Sequence, residues 1–161
     1  MFDLRHELKD AGLVASSLAG TVDGQAKVVN LGAAPVEGKL VIDVSALEID
    51  SDNELYRIKL QGSSREDFAH NIEDLAILEV GAKEVLGGDQ DSQTGRYVVP
   101  FSNVKGGYVW PYARLYAELS GSIGSGINFS AFLTREVSTR TTTVTTATTT
   151  TTTSTTTTTT T

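Results

Sequence analysis

KGGYVWPYARLYAELSGSIGSGINFSAFLTRE, residues 105–136, decides the fold. It reads as two long strands joined by a Gly/Ser-rich turn, the closing hairpin of a β domain. Side chains alternate across a strand with period two. Val109, Ala113, Leu115, Ala117 and Leu119 therefore share one face of the first strand. Tyr108, Trp110, Tyr112, Arg114, Tyr116 and Glu118 share the other. In the second strand Ile127, Phe129, Ala131 and Leu133 alternate with Asn128, Ser130, Phe132 and Thr134. One face is small and aliphatic and suits a core. The opposite face carries a row of large amphipathic rings, unusual for a surface that meets only water.

Upstream, the same texture repeats in shorter pieces. Residues 25–32, QAKVVNLG, form a β-like run ended by Gly32. Residues 38–49 read as a strand with Leu40, Ile42, Val44 and Ala46 on one face, and SDNE at 51–54 is a turn by composition. Residues 55–63, LYRIKLQGS, alternate Tyr56, Ile58 and Leu60 against Arg57, Lys59 and Gln61, the pattern of a half-buried strand. Residues 64–74 read as a polar loop with one apolar anchor, Phe68. A strand is expected at 75–80, a turn at 88–95, and a further strand at 96–101, where Pro100 suggests an edge or a bulge. Residues 1–21 read as an extended arm, because Gly12 and the small residues 15–19 weaken a helix.

Seven or eight short strands with turns every eight to twelve residues, and no long helical pattern, predict an all-β antiparallel β-sandwich or jelly roll. The expected organisation is an N-terminal arm at 1–21, a β domain at 22–136 and a low-complexity segment at 137–161. That last segment is almost pure threonine. It has too little apolar variety for a core of its own, so it is either a disordered tail or an arm that pairs with a neighbouring subunit.

The charge is acidic, −7 in formal terms with a pI of 4.7. Nucleic acid demands a clustered basic surface, so it is not an expected partner. With no cysteine, thiolate chemistry and disulfides are excluded. No apolar run approaches membrane length, and the first twenty residues lack a signal-peptide core, so a soluble protein made in a reducing cytoplasm is expected.

Chemistry is hard to place in this chain. Two histidines, His6 and His70, are too few for a zinc site. Asp50-x-Asp52-x-Glu54 and Asp89-x-Asp91 are acidic turns with some calcium character, but the second lacks the glycine and glutamate positions of an EF-hand loop. Gly121-Ser-Ile-Gly-Ser-Gly126 is neither a nucleophile elbow nor a phosphate loop. The expectation is a non-enzymatic protein with no cofactor and no metal. The aromatic row Tyr108, Trp110, Tyr112 and Tyr116 then has three readings: a covered second core, a subunit interface, or a platform for sugar rings. Tyr, Trp and Arg are the side chains enriched at interface hot spots.

The segments LQGS (60–63), LAILEVG (75–81) and YARLYAELSGSIGSGINFSAFLT (112–134), with the opening FDLRHELKDAG, resemble the jelly-roll capsid cement or decoration proteins of tailed bacteriophages. The resemblance covers residues 1 to about 136 and leaves the threonine segment outside. It implies a structural protein that binds the outer surface of the major capsid protein shell and stabilises it against internal DNA pressure. It also implies a homodimer or homotrimer, synthesis in a bacterial host cytoplasm and a place on the virion's outer surface. The expected contact residues are Tyr108, Trp110, Tyr112, Arg114 and Tyr116 with Phe2 and Leu4 of the arm. The alternative is a carbohydrate-binding β-sandwich that uses the Tyr/Trp face.

Overall fold

The computed structural model describes residues 6–135. Phe2 and Leu4, Glu136 and the threonine segment at 137–161 lie outside the described residues. Thirteen strands and one short helix follow in order. They are β1 (Glu7–Val14), β2 (Leu18–Ala19), β3 (Thr21–Val22), β4 (Gln25–Ala26), β5 (Val29–Asn30), β6 (Glu37–Leu47), β7 (Leu55–Ser63), β8 (Ile72–Gly81), α1 (Lys83–Leu86), β9 (Gly95–Ser102), β10 (Val104–Lys105), β11 (Tyr108–Val109), β12 (Tyr112–Ser120) and β13 (Ile127–Thr134).

Two antiparallel sheets carry the fold. The first has the order β1-β13-β6-β9, and the second β2-β12-β7-β8, with β5 also on β12. If the two small ribbons and β5 are set aside, the remaining eight strands lie in chain order 1-8-3-6 and 2-7-4-5. That order is the jelly roll, in which strands far apart in sequence become neighbours. The inward faces interdigitate as one core: Leu40, Ile42, Phe129 and Ala131 from the first sheet against Ile58, Leu60, Leu115 and Ala117 from the second. The alternation read from the sequence holds on β12 and β13, whose burial patterns alternate along most of each strand. Pro100 sits on β9, an edge strand of the first sheet, where a missing N–H is tolerated.

The predicted closing hairpin is not a hairpin. β12 pairs with β7, and β13 pairs with β1 and β6, so the two strands belong to opposite sheets. Each has a complete apolar face, and such strands satisfy their hydrophobic pattern across a core as well as side by side. The connecting segment settles the choice, because it is an arch over the end of the sandwich. At Gly121, with φ 95°, a Cβ would stand 2.1 Å from the carbonyl oxygen of Asn53, so only glycine fits.

The segment read as an arm at 1–21 is extended but integral from Glu7 onward. β1 is an edge strand of the first sheet, and Leu8 and Val14 lie in the core. Its alternation is hidden by two bulges, between Glu7 and Lys9 and between Lys9 and Gly12. Lys9 is buried at the second bulge. Its ammonium donates to the carbonyl oxygens of Asp10, Gly12 and Phe129 at 2.8, 3.0 and 3.0 Å and stands 4.6 Å from the centre of the Phe129 ring. Three donors meet three acceptors, which is what a buried lysine requires.

β2 and β5 are two pieces of one strand. Ala19 opposes Tyr116 and Val29 opposes Ala113, while the chain between them leaves the sheet as the β3–β4 ribbon. The ribbon turns at Asp23 and Gly24, both with positive φ, the preferred chemistry of a two-residue hairpin. The carboxylate of Asp10 accepts the Asp23 amide at 2.6 Å and ties the tip to β1.

Two smaller expectations also shift. Ala46 is exposed rather than inward, because Phe129 pairs with Val44 and Asn128 with Ala46, a bulge that reverses the phase of β6 and leaves Leu47 half-buried against the core. β8 starts at Ile72, so the polar loop is shorter than predicted, and the strand passes into the single turn of α1.

Candidate interaction surface

The aromatic row predicted over residues 108–116 is divided by a break at Trp110 and Pro111. Tyr108 lies in the β10–β11 ribbon, and β12 begins only at Tyr112. Gly106 and Gly107, with φ 62° and 81°, turn this ribbon. At its base the buried Asn103 is the organising residue. Its side-chain oxygen accepts the Val36 amide at 2.7 Å, its side-chain nitrogen donates to the Ala34 carbonyl at 3.1 Å, and its carbonyl accepts the Trp110 amide at 2.7 Å. Every polar group of a buried amide is thereby used.

Trp110 is half-buried, and its Cβ lies close over Gly62. A Cβ on the inward-facing Gly62 would stand 2.9 Å from the Trp110 Cβ and from the Leu75 Cδ1. The Trp110 indole N–H reaches back to the Lys105 carbonyl at 3.3 Å. Trp110 thus closes over the Gly62 backbone and braces the ribbon. Tyr108, by contrast, is 69% exposed, with its ring 6.5 Å from that of Trp110 and inclined to it by 60°. Val104, across the ribbon, is also exposed.

Tyr112, Arg114, Tyr116 and Glu118 do share the outward face of β12, as alternation predicts. Register then sets their neighbours. Arg114 lies beside Gln61, Tyr116 beside Lys59, and Glu118 beside Arg57 on β7, and these lie beside Asp74, Ile77 and Glu79 on β8. The face is an electrostatic ladder more than an aromatic platform. Lys59 Nζ lies 2.5 Å from Glu118 and 3.5 Å from Asp74, and Arg57 lies 2.7 Å from Glu79 and 3.4 Å from Glu118. The hydrogen bond to Glu118 holds the Lys59 pKa above the ordinary lysine value, and the bond from Lys59 holds Glu118 below the ordinary carboxylate value.

Asp74 joins the ribbon to this ladder. Its carbonyl accepts the Lys105 ammonium at 2.5 Å, and its carboxylate receives Gln61 at 3.3 Å and lies 3.5 Å from Lys59. Lys105 also pairs with Glu73 at 2.7 Å. The ribbon and the outer face of the second sheet therefore form one continuous, internally braced surface.

Sequence reading missed Asn103 and the placement of Phe68. The anchor in loop 64–71 is buried, as predicted, but outside the main core. Its ring lies 4.4 Å from the Arg114 guanidinium, on the outward side of the second sheet. Its backbone φ is 50°, a left-handed value that is costly for an aromatic residue and marks a constrained position.

The acidic turns have internal duties. Glu54 is fully buried, and its carboxylate accepts the amides of Asp50, Ser51 and Asn53 at 3.1, 2.6 and 3.1 Å. Burial pushes the Glu54 pKa up, but these backbone donors together outweigh it and hold the pKa below the usual value. Asp91 accepts the Lys83 amide at 2.9 Å at the start of α1. Among the described residues no group of three His, Cys, Asp or Glu side chains is placed to hold a metal ion, and no helix is long and apolar enough to cross a membrane.

Comparison with known protein families found no family model that matches the chain, and comparison with curated proteins found no match.

Proposed function

We propose that this chain is a structural cement protein of a tailed-phage capsid, docking on the outside of the major capsid protein shell through the β10–β11 ribbon and the outward face of β12. One observation carries the reading. The ribbon is fixed at its base by Asn103, Lys105 and Trp110, yet it presents Val104 and Tyr108 to solvent, Tyr108 being 69% exposed despite its inclined contact with the Trp110 ring. A braced element with exposed apolar tips suits a macromolecular partner, because little conformational freedom remains to be lost on docking. The resemblance to cement proteins adds to this. The segments that carry it, 60–63, 75–81 and 112–134, fall on β7, β8, β12 and β13, and the first three of these strands are neighbours in the second sheet.

Such a protein acts by mass action. Binding to the expanded shell and not to its disrupted form adds RT ln(1 + [L]/Kd) at every site, and symmetry repeats the gain over the particle. Co-sedimentation with expanded, DNA-free shells of the phage that encodes the chain tests the proposal, with Tyr108→Ser as the contact variant. The sugar-platform reading has less support, since rings inclined by 60° and a ladder of paired charges offer no flat aromatic surface.

A further inference from the structure

We infer that Arg114 is a preorganised receptor for a carboxylate, and that the capsid shell subunit fills it with an Asp or Glu side chain. The inference deepens the proposed function and rests on it for the identity of the partner.

The arginines of the described domain are not alike. Of the five described arginines, Arg57 pairs with Glu79, Arg65 with Asp67 and Arg96 with Asp43, at 2.7, 3.0 and 2.7 Å, and Arg135 is the exposed last described residue. Arg114 instead donates from Nε to the side-chain oxygen of Gln61 at 3.0 Å. The Gln61 amide nitrogen in turn donates to Asp74 at 3.3 Å, so Gln61 is oriented and the acid is held one residue away from the guanidinium. Phe68 lies 4.4 Å from the guanidinium carbon and Tyr116 lies 5.6 Å from it. Two rings and one amide thus hold the planar group, while its two terminal nitrogens have no carboxylate beside them among the described residues. Burial lowers the Arg114 pKa, as expected for a partly desolvated cation without a counter-charge.

That arrangement is unusual in a chain of net charge −7, where acids outnumber bases 20 to 13. The chain has carboxylates to spare, and among the described residues none is placed on this guanidinium. Phe68, whose backbone is left-handed, lies against it. An arginine fork binds a carboxylate through two parallel N–H···O bonds, and fixing the fork beforehand removes much of the entropy cost. A lysine cannot reproduce this geometry.

The test uses the full chain in two arms. In the first, Arg114→Gln and Arg114→Lys are compared with the parent in co-sedimentation with expanded shells. Both variants should keep the parent melting temperature within a few degrees and lose tenfold or more in affinity, with no rescue by lysine. If either binds shells as the parent does, the inference falls. In the second arm, glutarate is titrated while the arginine Nε–H signals are followed by NMR. Arg114 should shift in a saturable way, and Arg57, Arg65 and Arg96 should not. A uniform or absent response would remove the receptor itself. If the parent fails to sediment with shells but glutarate still shifts Arg114, the receptor stands and the capsid partner is overturned.

Discussion

Glu48 closes the arch between the two sheets by accepting the amide of Gly124 on both carboxylate oxygens, at 3.0 and 3.1 Å. The same carboxylate takes the Gly126 amide, and the Glu48 amide donates to the Gly126 carbonyl at 3.0 Å. The Gly/Ser segment of 121–126 is therefore held at two points, by Glu48 just beyond β6 at Gly124 and Gly126, and by Asn53, which accepts the Ser122 amide at 2.8 Å. Glu48→Ala should destabilise the domain by about 1–3 kcal/mol, the cost of leaving such amides without their acceptor. Glu48→Gln keeps one oxygen and should cost less. Urea unfolding measures both, and equal stability of Glu48→Ala and the parent would show that the arch stands without it.

β1 is part of the sheet. Leu8 is fully buried, and Leu8→Ala should cost about 2–5 kcal/mol, the range for a core leucine. Deleting residues 1–14 should abolish cooperative unfolding. An N-terminal arm separable from the domain would instead survive both changes with its melting curve intact.

Trp110 and Tyr108 should separate stability from docking. Trp110→Ala removes a half-buried ring beside Gly62 and should cost about 1–3 kcal/mol, less than a fully buried tryptophan. Tyr108→Ser should leave stability within about 0.5 kcal/mol, as for other exposed positions. Thermal melts of the two variants decide this, and a large loss for Tyr108→Ser would make it a core residue.

Titration gives two signatures at the opposite end of the sandwich. Tyr56 is buried and donates to the Glu48 carbonyl at 2.9 Å; burial and the nearby Glu48, Glu54 and Asp50 charges push its pKa up to about 12. In the unfolded chain its pKa is ordinary. Its contribution to stability is therefore full below about pH 10 and is lost as pH rises toward 12. Phenolate absorbance should show a component that titrates near pH 12, and Tyr56→Phe should remove it. Glu54 has the reverse sign. Its lowered pKa contributes stability above the unfolded value of 4.5, lost as pH falls below it, and Glu54→Gln should flatten that part of the acid limb. A variant with the parent's acid profile would remove Glu54 as the cause.

The sheet-forming residues were legible because their signal is local. β7, β12 and β13 alternate cleanly, and their inward residues are the core. Which strands pair is a long-range matter, so the arch at 121–126 passed for a hairpin turn. Two real hairpins carried readable marks, Asp23-Gly24 and Gly106-Gly107, but their strands are only two residues long and show no periodicity. Bulges explain the other misses, since each extra residue reverses the phase at Lys9 and at Ala46. At the candidate surface, alternation correctly placed Tyr112, Arg114 and Tyr116 together. It could not place Trp110, because Pro111 interrupts the strand, nor Phe68, whose contact with Arg114 is made by a loop.

Co-sedimentation of the purified chain with expanded, DNA-free shells, measured alongside the Tyr108→Ser variant, tests the proposed role most directly. The parent should saturate a fixed number of sites per shell and raise the shell's melting temperature, while Tyr108→Ser should bind at least tenfold more weakly. A parent chain that stays in the supernatant at concentrations well above the micromolar range would contradict it.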